Sequence, residues 1–109
     1  MIIRLSESTW INLESIEYLH IYVNSSQISD TDCRITLEVD FKLKDCKIQT
    51  ARMAECRKNY IVMQSLKSSV CRFLRVRMMF KEERVLDLFN YCEGVSTKDL
   101  IEKFERSIK

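Results

Sequence analysis

The stretch Ile35-Thr36-Leu37-Glu38-Val39-Asp40-Phe41-Lys42-Leu43-Lys44 decides the fold class. Apolar and polar residues alternate through it without a break, and a period of two puts every apolar side chain on one face of an extended strand. One wet face and one buried face is the habit of an antiparallel sheet. Upstream, Ile16 to Val23 and Thr9 to Leu13 are rich in β-branched and aromatic residues, and Met1 to Leu5 is apolar and bounded by Ser6-Glu7-Ser8. Asn24 to Asp32 collects Asn, Ser and Asp and reads as a turn or exposed loop. Connections this short leave no room for parallel crossovers, so residues 1–44 are expected to form a three- or four-stranded antiparallel meander.

Downstream the period changes. Met53, Cys56, Tyr60, Met63, Val70 and Leu74 recur at helical steps, and Val62, Leu66 and Phe73 widen that stripe. This predicts a long amphipathic helix. Ser65-Leu66-Lys67-Ser68-Ser69 could interrupt it, and Val70 to Phe80 also reads as a strand, because Leu74, Val76 and Met78 alternate. Lys81 to Glu93 is expected to be helical, with Val85, Leu88, Phe89 and Cys92 on one face and Gly94 closing it in the left-handed conformation. Ser96 is placed to cap a last helix whose buried stripe is Leu100, Ile101, Phe104 and Ile108. The fold class is therefore α+β in one domain: a small antiparallel β-sheet in residues 1–44, an amphipathic helix, and a C-terminal helical hairpin.

The helix pair over 81–109, with Glu-Gly-Val-Ser-Thr-Lys-Asp-Leu at its turn, resembles the opening of a helix-turn-helix unit. A DNA-reading unit of that kind needs a further helix in the major groove. The pair is accordingly expected to be an αα-hairpin packed on the sheet or on a dimer partner, with no residue assigned to DNA.

Charge is unevenly spread. Of 109 residues, 18 are Lys or Arg and 16 are Asp or Glu, net +2. Residues 1–41 hold two basic and seven acidic groups, net −5; residues 42–77 hold ten and two, net +8; residues 78–109 hold six and seven, net −1. The +8 segment is either a polyanion footprint or a face that pairs with the acidic N-terminal third. Its candidate polyanion-binding residues are Lys42, Lys44, Lys47, Arg57, Lys58, Arg72 and Arg75. Phosphate contacts of this kind would give affinity without sequence readout.

Catalytic chemistry finds little to stand on. One Gly removes every Gly-rich phosphate loop. The five cysteines, Cys33, Cys46, Cys56, Cys71 and Cys92, include no close pair for zinc and are expected to be reduced thiols. His20 is a lone histidine with no motif, and Asp30 and Asp32 lack the glycine and terminal Glu of a calcium loop. No cofactor and no metal is expected. With no signal peptide and no membrane span in view, the expected setting is cytoplasmic. The leading expectation is a small non-catalytic interaction protein, an adaptor or inhibitor that docks on a protein partner as a dimer. Met53, Cys56, Tyr60 and Met63 are its candidate partner face. Nucleic-acid binding by the basic segment 42–77 is the alternative.

Overall fold

The computed structural model describes residues 1–80 and 84–108. Strands β1 (Ile2–Arg4) and β2 (Trp10–Asn12) lead through a single 3-10 turn at Leu13–Ser15 into β3 (Ile16–Ser29), β4 (Asp32–Leu43) and β5 (Ile48–Arg57). Helix α1 (Tyr60–Phe80), a short strand β6 (Val85–Asp87), and helices α2 (Leu88–Cys92) and α3 (Thr97–Ile108) follow. The architecture is α+β, with two three-stranded sheets ordered β2-β1-β6 and β3-β4-β5.

The larger sheet is antiparallel throughout, and β4 is its middle strand. Ile35, Leu37, Val39 and Phe41 point into the core with at most 2% exposure, as their alternation requires. Each side chain taken fully out of water contributes roughly 2–3 kcal/mol. Met63, Leu66, Val70, Phe73 and Leu74 of α1, with Leu100 and Phe104 of α3, complete that core. The opposite face of the sheet carries cross-strand polar pairs: Tyr22 OH donates to Asp40 Oδ1 at 3.2 Å, Thr50 Oγ1 to the same oxygen at 2.7 Å, and Asn24 Nδ2 to Glu38 at 3.3 Å.

The first 44 residues do not make one meander. β1 and β2 leave the larger sheet and form a second one, in which β1 pairs antiparallel with β2 and parallel with β6. The region 24–32 is not a loop either. β3 continues to Ser29, and only Asp30 and Thr31 turn the chain. A hairpin arm exposed on both faces can be polar and still satisfy its backbone in the ladder.

Residues 48–57, expected in part as helix, are a strand. The register shifts between Leu37 and Glu38, so that Ala54 faces Leu37, Arg52 faces Glu38, and Met53 is the extra residue of a β-bulge. A bulge moves the inward side chains from odd to even positions. Met53 and Cys56, three apart, then lie on the inner side of one strand and mimic helical spacing. Lys58, at φ +60°, breaks the strand, and Asn59 accepts the Val62 N–H at 3.1 Å to start α1.

Helix α1 runs through Ser65–Ser69 without interruption, and residues 66–80 are helical. Buried Ser69 (1% exposed) lies 2.7 Å from Glu105 Oε1 of α3, and the Ser65 carbonyl is 3.3 Å away. Its hydroxyl is thereby satisfied inside a helix that serine would otherwise weaken.

The helix expected over 81–93 is corrected to β6 plus the five-residue α2; positions 81–83 lie outside the described residues. Pairing of Leu86 with Ile3 buries both, at 3% and 0% exposure, and this outweighs local helical preference. Asp87 then caps α2 by accepting the Asn90 N–H at 3.0 Å. Gly94 is in the left-handed region, at φ +69°, as expected of it. Ser96 Oγ accepts from Asp99 N at 3.3 Å and caps α3. Phe73, Tyr91 and Phe104 lock α1, α2 and α3 together with ring centroids 4.7–5.1 Å apart.

Candidate interaction surface

The seven basic candidates do not converge. Lys42 stands on the outer face of the larger sheet, its ammonium 5.4 Å from the Tyr18 ring centre. Lys44 and Lys47 lie at the β4–β5 turn, where Lys47 is 3.9 Å from Asp45. Arg57 and Lys58 are at the other end of β5, and Arg57 Nη1 donates to Asp32 Oδ2 at 2.7 Å. Arg72 and Arg75 belong to α1, on the inner side of the sheet; Arg72 pairs with Glu105 of α3. Cations of the +8 segment are thus spent partly on carboxylates inside the molecule. Arg52 reaches Glu38 at 4.0 Å, and Glu55, one of the segment's two acids, binds Arg34 at 3.2 Å.

The four residues of the expected partner face also part company. Met53 (4% exposed, on β5) and Met63 (0%, on α1) are core side chains. Cys56 is half-buried with its thiol 3.5 Å from the Asn59 carbonyl, and Tyr60 is exposed at the start of α1. They are not one face of one helix, because the chain changes from strand to helix between Cys56 and Tyr60.

A different surface emerges at β3. This strand is 14 residues long and lies at the rim of its sheet; among the described residues its outer edge pairs with no strand. From Tyr18 to Ser29 it carries no Asp, Glu, Lys or Arg, in a chain that is 31% charged. Leu19, Ile21 and Val23 face inward and are only half-buried. Between them and α1 runs an open groove of about 380 Å³, lined by Leu19, Ile21, Cys71, Leu74 and Met78, with His20 and Arg75 also on it. His20 and Cys71 share this groove, but no hydrogen bond joins them among the described residues. On the outer face, the His20 and Tyr22 rings stand 5.1 Å apart.

β5, at the other rim, is unlike β3. It bears Arg52, Glu55 and Arg57 and the bulge at Met53, features that discourage a further strand from adding. β3 has bulge-type irregularities only near its ends, at 16–18 and 27–29, and no charge between them.

Read from sequence alone, the run 18–29 divides between a strand and a loop and is missed as a surface, although its lack of charge is plain. Nothing local says that the strand is a rim strand, because that depends on which strands pair elsewhere. Among the described residues no helix is long and apolar enough to cross a membrane. Comparison with protein-family models, with curated proteins and with solved structures found no match.

Proposed function

We propose that this chain is a non-catalytic interaction protein, of adaptor or inhibitor type, that docks on a protein partner by strand addition at β3. The observation that carries this reading is the uncharged outer edge of β3, unpaired among the described residues, beside a half-buried apolar row. An exposed rim strand offers a row of unpaired N–H and C=O groups, and native proteins usually blunt such a rim with Lys, Pro or a central bulge. Here the blunting devices sit on β5 and not on β3. An incoming extended segment would gain main-chain hydrogen bonds from the rim and side-chain pockets from the groove.

The scattered, partly paired basic residues lend less support to a polyanion partner. A phosphate backbone is held by several cations along one track, and the seven candidates occupy four separate places.

The test is to pan a displayed library of random extended peptides on the immobilised full chain and map amide hydrogen exchange with the selected peptides. The expected result is enrichment of alternating apolar sequences that slow exchange of the outward-pointing amides between Tyr18 and Val23. Selected peptides that leave β3 exchange unchanged would overturn the reading.

A further inference from the structure

Resting on the reading of β3 as a docking rim, we infer that its occupant is a second copy of this chain, joined β3 to β3 about a two-fold axis at Ile21. The strand is self-complementary in that register. Antiparallel pairing about Ile21 sets Leu19 opposite Val23 of the partner subunit and Ile21 opposite Ile21 of the partner subunit. Leu19, Ile21 and Val23 each then meet an apolar residue. On the outer face His20 meets Tyr22 of the partner subunit, and Tyr18 meets Asn24 of the partner subunit. The strand's one charge, Glu17, falls opposite Ser25 of the partner subunit.

Neighbouring registers do worse. An axis at His20 sets Glu17 against Val23 of the partner subunit, and an axis at Tyr22 sets Leu19 against Ser25 of the partner subunit. Side chains of a strand alternate, so an axis at any residue keeps inner rows with inner rows. The choice of Ile21 therefore rests on which side chains meet and not on which face they occupy.

The seam also has adequate size. Nine paired residues, 17–25, span about 27 Å from the first Cα to the last. A seam as wide as the molecule's 21 Å thinnest extent would bury at most roughly 550 Å² of each copy, or about 1,100 Å² in all, close to the ~1,000 Å² of a specific interface. That is a dimer of moderate strength, which dilution separates. It joins the two larger sheets into one six-stranded sheet. On the inner side, Cys71, Leu74 and Met78 of both α1 helices close over the seam.

The experiment uses the full chain with Cys46→Ser, which removes the exposed native thiol. Sedimentation equilibrium is run on this protein and on its Ile21→Lys variant, with circular dichroism to confirm folding. Expected are a concentration-dependent dimer for the parent and a dissociation constant raised at least about tenfold by the lysine. In a second arm, Ile21→Cys and Gln27→Cys are oxidised with diamide. At the axis the two Cα atoms lie about 4.5–5.5 Å apart, within disulfide reach, so Ile21→Cys forms a covalent dimer and Gln27→Cys does not. Should Ile21→Lys fail to fold, the Ile21→Cys crosslink decides.

A parent that stays monomeric to high micromolar concentration overturns the inference. So does a folded Ile21→Lys that dimerises as well as the parent, or equal crosslinking at positions 21 and 27. A monomeric parent whose β3 still captures displayed peptides removes the second copy and leaves the strand-addition reading in place. A dimer with this seam that never yields to peptides does the reverse.

Discussion

Cys92 shows how one side chain reports on the fold. Burial pushes its thiol from 9.0 up to about 12, outweighing the Lys103 ammonium, which pulls the other way. The folded state therefore holds this proton more tightly than the unfolded chain does. The resulting stabilisation is complete below pH 9 and is lost as pH rises from 9 towards 12. Across that window Cys92 contributes a fall in unfolding free energy of about 1.4 kcal/mol per pH unit. Urea titrations at several alkaline pH values check this, and Cys92→Ala is expected to flatten the dependence. Thiol labelling gives a companion prediction. Exposed Cys46 is alkylated first by iodoacetamide under native conditions and Cys92 last, as mass spectrometry of the digested chain would show.

At the scale of elements, α1 and α3 are held by a polar contact as well as by rings. Glu105 of α3 receives both the Ser69 hydroxyl and the Arg72 guanidinium of α1. Because Ser69 is buried and its acceptor is charged, Ser69→Ala is expected to cost about 1–2 kcal/mol in chemical denaturation. A double-mutant cycle with Glu105→Gln should show the two changes to be non-additive. Gly94 ends the segment after α2 at φ +69°, with nothing within 4 Å of a Cβ built there. Gly94→Ala then costs backbone strain alone, about 1 kcal/mol, in the same assay.

These elements differ in how well local sequence announces them. β4 and α3 are legible because a single period runs through each, and Gly94 and Ser96 mark the boundary between α2 and α3. β5 is not, because its bulge breaks the period of two and leaves Met53 and Cys56 at a helical interval. β6 is three residues long and borrows its partner from the other end of the chain, so no window of neighbours contains its cause. The candidate surface shares that difficulty: the lack of charge in 18–29 is plain, but its place at a rim is a property of topology.

For the whole molecule, charge reversal separates the readings. Arg57 and Arg72 face Asp32 and Glu105, so the double variant Arg57→Glu with Arg72→Glu sets like charges side by side. Both arginines are more than half exposed, and the expected cost is about 1 kcal/mol, a thermal midpoint lowered by a few degrees. Fluorescence polarisation with single- and double-stranded DNA and RNA at physiological salt is expected to show no saturable binding by the native chain. Salt-steep binding that the double variant loses would instead make these arginines a polyanion site.

The parallel pairing of β1 with β6 has a consequence for the order in which the molecule assembles. Ile2 and Val85 are neighbours in the small sheet but stand 83 positions apart along the chain. Closing a loop of that length costs about 3 kcal/mol more than closing a hairpin turn, and six residues in register repay little of it until Leu86 and Leu88 are already seated. β3, β4 and β5, linked by tight turns, can zip early and locally, as can β1 with β2, whereas the β1–β6 edge must wait for a segment synthesised long after β1. In a refolding time course followed by pulsed hydrogen exchange, the Ile2 amide, which donates to the Arg84 carbonyl on the β6 side, gains protection late.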